Sequence, residues 1–291
     1  MTETATFHTP MANLLGESPL WDHRTNRFYW VDANLQTVSY TSDDNPSPVT
    51  WHYGVPIGSI GLAANGLVAA LPDGFGLIDA TSGAMARLAD VPAPANGFRL
   101  NDGKADRAGR FIAGHMSPAG GTAGEVWSVE DTGRTRRIET GVGLSNGLCF
   151  SPAGDVMYFA DTYTGILRRY AYDTTTGILG ARHDLVDCRL YGSMPDGATV
   201  DAEGCIWVAL VLARKVVRFS PQGELLQTLD TPMDYPTCPA FGGPDLDRLF
   251  VTSISDSGGK ITSTAENAGR IAVFDGLGTR GLPEGVLGQP Q

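Results

Sequence analysis

Three segments, LNDGKADRAGR from Leu100, SNGLCFSPAGD from Ser145 and PDGATVDAEGC from Pro195, share one layout. Each places an oxygen side chain eight residues before a turn glycine: Asn101 before Gly109, Asn146 before Gly154 and Asp196 before Gly204. A packing constraint repeats apolar residues. A repeated oxygen donor points instead to copies of one small sheet set around an axis, with donors from different copies meeting at its end. Turn-then-strand units of this kind run the length of the chain: DHRTNRFYWVD from Asp22, AANGLVAALPD from Ala63, DRAGRFIAGHM from Asp106, SPAGDVMYFAD from Ser151, DAEGCIWVALV from Asp201 and GGPDLDRLFVTS from Gly242. Their turns fall near Asn26, Gly66, Gly109, Gly154, Gly204 and Asp247, a period of roughly 40 to 50 residues, in the range of propellers. Six units fit the 291 residues.

Each unit continues with a second apolar strand and a polar break, as in GEVWSVEDTG from Gly124, GILRRYAYDTTTG from Gly165 and RKVVRFSPQG from Arg214. Asp-Thr-Gly and Pro-Gln-Gly supply turns between antiparallel neighbours. About four strands per unit make one propeller blade. The expected fold is therefore all-β, a six-bladed β-propeller with four-stranded antiparallel blades, as one domain over residues 1–291. The residues before Glu17 are expected to complete the last blade. The stretch Thr81 to Asp90 has weak helical periodicity but reads better as turn and strand. In such a blade the innermost strand lines the central channel, and the position eight before the turn points into the channel mouth. Glu17 falls within about one residue of this layer in the first unit. The second unit offers Gly58 and Ser59 there and the sixth Thr237 to Pro239, which would leave one side of the layer open.

Glycine (37) and proline (18) are abundant, charged residues make up 18% and the net charge is −11. That balance argues against a polyanion partner, because nucleic-acid binding needs clustered Lys and Arg. Only RTRR at Arg134 to Arg137 and RR at Arg168 and Arg169 approach a cluster, and both read as solvated strand edges. The N-terminal segment lacks a basic start followed by an apolar run, and no stretch approaches the roughly 18 apolar residues of a membrane span. A cytoplasmic protein with no membrane partner, monomeric or weakly dimeric, is expected. Cys149, Cys188, Cys205 and Cys238 are too dispersed for a zinc knuckle or a disulfide framework, and Cys149 and Cys205 read as buried small apolar residues.

Glu17, Asn146 and Asp196, with Asn101 as a fourth or water-mediated donor, form an all-oxygen set suited to one divalent cation. Calcium is the expected ion, because it tolerates donors from unconnected loops; magnesium, manganese and ferrous iron are alternatives. Zinc accepts carboxylates in catalytic sites with an open position. Facing carboxylates in a narrow channel would otherwise repel and tend to protonate. Asn and Asp also cap turns, but four aligned positions favour the metal reading. An open position on such a cation serves ester or lactone hydrolysis. Asp196 is then a candidate general base as well as a ligand, and Asn101 a candidate donor to the developing oxyanion. GLSNG from Gly143 fits the G-x-S-x-G nucleophile elbow, but a strand rather than a helix follows Ser145. GGTAG from Gly120 lacks the Lys and helix of a phosphate loop. Of the five histidines, only His115 falls near the expected mouth, as a substrate contact.

The segments LGESPLWD (Leu15 to Asp22), RLNDGKADRAGRFIAG (Arg99 to Gly114), SNGLCFSP (Ser145 to Pro152), FADT (Phe159 to Thr162) and PDGATVDAEGCIWVA (Pro195 to Ala209) resemble the SMP-30/gluconolactonase family of regucalcin-type sugar lactonases. The resemblance spans nearly the whole chain in the expected order. It implies a six-bladed propeller, a divalent ion held by Glu17, Asn146 and Asp196, substrate contacts from Arg99 and Asn101, and Asp196 as the catalytic carboxylate. It departs after His115 and Met116, where Ser117, Pro118 and Ala119 stand in place of a loop carrying a substrate-binding carboxylate. A pentonic, deoxy or otherwise modified hexonic lactone is therefore a better expectation than gluconolactone. The expected activity is hydrolysis of such a small sugar lactone to the aldonic acid by water attack on a metal-polarised carbonyl. The alternatives are a phosphotriesterase of the diisopropylfluorophosphatase type and a non-catalytic calcium-binding propeller.

Overall fold

Asp and Ser side chains fold the repeated turns. Asp106 Oδ1 accepts the backbone N–H groups of Ala108 (3.0 Å) and Arg110 (2.8 Å), and Asp201 Oδ1 accepts those of Glu203 and Cys205 (both 3.0 Å). Ser151 Oγ accepts the N–H of Val156 at 3.1 Å. These side-chain mimics of a backbone turn are completed by Gly109, Gly154 and Gly204 at φ of 85°, 76° and 84°, a left-handed conformation that costs a residue with a Cβ. The signal that defines the repeat in the sequence is thus the hinge between the first and second strand of a blade.

The computed structural model describes residues 5–290. After β1 (Ala5–Phe7), blade one comprises β2 (Gly16–Asp22), β3 (Arg27–Asp32), β4 (Thr37–Ser42) and β5 (Asn45–His52). Blade two is β6 (Ser59–Ala63), β7 (Gly66–Leu71), β8 (Gly74–Asp79) and β9 (Met85–Asp90). Blade three is β10 (Arg99–Ala105), β11 (Phe111–Met116), β12 (Gly124–Val129) and β13 (Thr135–Val142). Blade four is β14 (Ser145–Phe150), β15 (Val156–Asp161), β16 (Ile166–Asp173) and β17 (Ile178–Asp187), followed by a 3-10 turn at Cys188–Tyr191. Blade five is β18 (Pro195–Val200), β19 (Ile206–Leu210), β20 (Lys215–Phe219) and β21 (Leu225–Asp230), and blade six has β22 (Pro236–Gly242), β23 (Arg248–Ser253) and β24 (Ala272–Phe274). The blades are antiparallel meanders in a ring, a six-bladed β-propeller. Among the described residues no helix is long and apolar enough to cross a membrane. The 81–90 stretch is turn and strand.

The ring closes through β1, which pairs antiparallel with β24 (Ala5↔Phe274, Phe7↔Ala272) as the outer strand of blade six, so both ends of the chain contribute to one sheet. One strand lies outside the four-per-blade scheme. β25 (Val286–Leu287) pairs parallel with the end of β6 on its channel side. The segment leading to it crosses the channel at the end of the innermost strands: Ala202 donates its N–H to Arg280 O, Gly281 to Leu246 O, and Gly288 to Gly109 O. The channel is therefore floored by chain and open at its other end.

Apolar layers lie between neighbouring blades. Phe28 of blade one stacks on Phe250 of blade six with centroids 4.3 Å apart, and Trp207 of blade five meets Phe241 of blade six edge-on at 5.9 Å. All four cysteines are buried free thiols. Arg134 to Arg137 lie on or beside the outer strand β13, as expected. Arg168 and Arg169 do not form an edge, because β16 is an interior strand whose partner β17 covers it. One polar cluster ties blade four to the turn of blade three: Tyr172 Oη donates to the buried Asp106 carboxylate at 2.6 Å, and Arg110 Nε donates to the same oxygen at 2.7 Å. Replacing Tyr172 by Phe keeps the ring and removes a donor to a buried charge. Urea unfolding should show a loss of about 2 kcal/mol, and a loss below about 0.5 kcal/mol would mean that Arg110 alone satisfies Asp106.

Candidate active site

The innermost strands do not alternate regularly where they begin. The register of β2 against β3 shifts between Glu17 and Leu20, and equivalent shifts occur between Leu100 and Gly103, Asn146 and Cys149, Pro195 and Ala198, and Pro236 and Pro239. Such bulges bend a strand and re-aim its side chains. In blade one the irregularity puts Ser18 at φ 48°. The innermost strand of blade two has no bulge. The bulged position coincides with the oxygen-bearing position of the repeat in four blades, so Glu17, Asn101, Asn146 and Asp196 all reach one cleft of about 440 Å³ at the open end of the channel. Arg99 lines the same cleft.

Hydrogen bonds between blades fix the amides. Asn101 Nδ2 donates to Ser145 O at 2.9 Å and to Asn146 Oδ1 at 3.2 Å, while its Oδ1 accepts from Arg99 Nη1 at 2.7 Å. Asn146 Nδ2 donates to Thr162 Oγ1 at 2.8 Å, and Thr162 in turn donates to Pro195 O at 2.8 Å, so one hydroxyl links Asn146 to the strand that carries Asp196. Thr162 closes the FADT segment. Asp161 of the same segment accepts the N–H groups of Gly143, Leu144 and Tyr163 and thereby anchors the entry to β14.

Burial sets the electrostatics. Asp196 is 7% exposed and Asn146 3%. The Glu17 carboxyl is held well above the usual carboxylate range, first by burial and then by the facing charges of Asp196 and Asp102, with Arg99 and the Ser18 N–H opposing. Asp196 is raised by burial and by Asp102, with the Gly197 N–H opposing. Asp102 itself is pushed up to about 6 by burial, against the Leu148 N–H, the Lys104 charge and the Gly103 N–H. Sequence reasoning missed Asp102. Strict alternation turns it away from Asn101, whereas the bulge brings it to the channel, where its Oδ2 accepts the Leu148 N–H at 3.0 Å.

Two expectations change. The slots without an amide or carboxylate do not leave a side open. A Cβ on Gly58 would sit 2.3 Å from Leu100 O, so blade three's backbone fills that space. Ser59 donates to Asn101 O at 2.7 Å, and Thr237 donates to Gly16 O, so both slots seal neighbouring blades together. Access is instead from the mouth. His115, expected as a substrate contact, does not line the cleft: its ring is 0% exposed, its Nδ1 accepts the Glu125 N–H at 3.2 Å and it packs edge-on against Phe98. The end of β11 places Met116 on the cleft wall instead. Ser145 is likewise fully buried and starts a strand, which removes the nucleophile-elbow reading.

Among the described residues no group of three or more His, Cys, Asp or Glu side chains is arranged to hold a metal ion. The candidate donors are two carboxylates and two amides. At the blind end of the cleft the Asp196 charge raises the proton affinity of Glu17, Asp102 raises that of both, and Arg99 is the cationic side chain set against Glu17. Facing carboxylates, one buried and one half-buried, with this excess of negative charge fit a hard divalent cation.

The sequence matches the family described as SMP-30/Gluconolactonase/LRE-like region over residues 15–255. The chain is 36% identical over 256 residues to a 6-deoxy-6-sulfogluconolactonase of Pseudomonas putida, covering 87% of this chain and 88% of that protein. It is 34% identical over 281 residues to the pentonolactonase XacC of Haloferax volcanii, covering 93% of each. A solved structure described as a calcium-binding protein, regucalcin, from Agrobacterium tumefaciens superposes with a TM-score of 0.91 at 26% identity, covering 99% of this chain and 98% of that one. The match over most of the chain, the propeller and the shared extent of these relatives make this protein a member of the SMP-30/gluconolactonase/LRE-like family.

Proposed function

We propose that the chain hydrolyses a sugar lactone to the open-chain aldonic acid with the help of one divalent cation, held by Glu17, Asn146 and Asp196. The observation that carries this reading is the convergence, at the blind end of one cleft, of the half-buried Glu17 carboxylate, the buried Asp196 carboxylate and two fixed amides, from four different blades. The lactonase names of two relatives support it, and the calcium-binding description of the superposed structure makes calcium the first cation to try. A cation bound there would supply Lewis-acid polarisation of the lactone carbonyl and promote ionisation of the attacking water.

The chain's own residues supply the rest. Asp196 accepts the proton of the attacking water and returns it to the ring oxygen as the C–O bond of the tetrahedral adduct breaks, and its burial favours this proton uptake. Arg99 and Asn101 hold the ester oxygens. In the free cleft both hydrogens of Asn101 Nδ2 are engaged, and the longer bond, 3.2 Å to Asn146 Oδ1, is the one released to a developing oxyanion. Apolar walls, including Leu144, Met194 and Ile254, exclude water from the polar end and strengthen these interactions.

The test is a panel of pentonic, deoxy and modified hexonic lactones in a pH-stat, run on chelated protein restored with calcium, zinc, manganese, magnesium or ferrous iron. The expected result is ring opening that depends on one of these ions. Tight calcium binding with no lactone opened would sink the enzyme reading in favour of a binding propeller. Faster turnover of a fluorophosphate than of any lactone would replace it with phosphotriester hydrolysis.

A further inference from the structure

The rim of the cleft is built by the connections between the second and third strands of the blades, which all lie on the mouth side. Most are short: residues 33–36, 72–73, 162–165 and 211–214. Two are longer, 117–123 in blade three and 254–271 in blade six, and in a six-membered ring these blades stand opposite one another. The two loops meet through Lys260, whose Nζ donates to Pro118 O at 3.2 Å. Lys260 lines the cleft together with the residues at its blind end.

The charged side chains lining the cleft are Glu17, Asp196, Arg99 and Lys260. Arg99 is engaged, with Nη1 donating to Leu100 O and Asn101 Oδ1 and its charge set against Glu17. Lys260 differs. Among the described residues it has no carboxylate within ion-pair distance, and its bond is to a neutral carbonyl, in a chain where 32 acidic residues outnumber 21 basic ones. Met116, Leu212 and Ile261 are apolar residues of the same cleft wall. Lys260 is exposed, so its charge and its spare donors are open to an anion entering the cleft. With the proposed cation offsetting the two carboxylates and the lactone carbonyl held at that end, Lys260 on the long loop of blade six is the remaining charged side chain of the cleft for a negative group elsewhere on the substrate.

We propose that Lys260 is a specificity-determining residue that receives an anionic substituent at the end of the lactone remote from its carbonyl. The proposal rests on the lactonase reading and adds to it the substrate class: a lactone carrying a sulfonate, phosphate or comparable group on its terminal carbon. Neutral lactones have no group to offer Lys260 and turn over without its help.

The experiment compares gluconolactone with its 6-sulfonated and 6-phosphorylated counterparts on the wild type, Lys260→Met and Lys260→Arg in the cation-supplemented protein. In Lys260→Met, kcat/KM for the anionic lactones should fall about tenfold or more through KM, as expected for loss of a charge-assisted contact. Gluconolactone should change less than about twofold, because the reacting end is untouched. The wild-type KM for the anionic lactones should rise with salt, and that dependence should flatten in Lys260→Met and persist in Lys260→Arg. A response to only one of the two anions identifies the substituent. An equal loss on charged and neutral lactones overturns the assignment and leaves Lys260 as a strap to Pro118; no loss on either overturns it as well. If the wild type opens none of the three, the wider lactone panel decides the lactonase reading, and Lys260 is judged by calorimetry with the 6-sulfonated open-chain acid. Weaker binding to Lys260→Met than to wild type then upholds anion recognition, and equal binding ends it.

Discussion

Asp196→Asn should lower kcat for lactone opening by at least about 10³-fold, and Glu17→Gln should do the same, with the propeller intact in both. On the proposed reading both carboxylates contribute charge to the cation site, and Asp196 also takes the proton of the attacking water. An amide of the same shape holds its place among the blades but carries no charge and accepts no proton at neutral pH. Asn101→Ala should lose less, about 10²-fold, the usual scale for one oxyanion donor. It should also loosen Arg99 and Asn146, because Asn101 bonds to both. Initial-rate kinetics with the preferred lactone, alongside metal content and circular dichroism, measure all three. Near-wild-type turnover in Asp196→Asn would remove Asp196 from the chemistry, and retained metal in Glu17→Gln would remove Glu17 from the ligand set.

The propeller was legible in the sequence because turn and donor recur together. The eight-residue interval from Asn101 to Gly109 is the length of an innermost strand, bulge included, down to the Asp-anchored turn at Asp106. The same interval works for Asn146 and Asp196, where the bulge is in the same place, and fails for blade two, which lacks it. What stayed hidden depended on departures from alternation and on loop paths. Asp102 reaches the channel only because β10 shifts register after Leu100. Position along the strand puts His115 near the mouth, but β12 packs over it and the chain's next residue, Met116, takes the wall. Thr162 looks like a turn residue until its hydroxyl is seen bridging two blades. The floor formed by the segment before β25, and the contact of Lys260 with Pro118, join residues 35 to 179 positions apart with no repeat to announce them.

Removing the cation should reverse the usual order of stability, with chelated Glu17→Gln melting above the chelated wild type. In the folded chain Glu17 and Asp196 both bind protons more tightly than they do unfolded, because burial and the facing carboxylates penalise the charged forms. The native state therefore holds more protons than the unfolded state at any pH above the ordinary carboxylate range and below the raised values. By linkage, stability then falls as pH rises through that window. At pH 7 this repulsion is a destabilising load on the cation-free protein, and replacing one partner by a neutral amide removes it. Relief of this like-charge contact should be worth up to about 3 kcal/mol at pH 7, or roughly 5 °C in melting temperature for a chain of this size. Near pH 5 the wild type should recover most of the difference by taking up protons, while Glu17→Gln should show a flatter profile. With the cation restored the order inverts, because binding to the native state stabilises the wild type in proportion to its affinity and the variant has lost a ligand. Thermal unfolding of both proteins at pH 5 and 7, with chelator and with added cation, gives the comparison. A chelated Glu17→Gln no more stable than wild type at pH 7 would mean that the two carboxylates do not face each other, and the shared cation site would fall with that geometry.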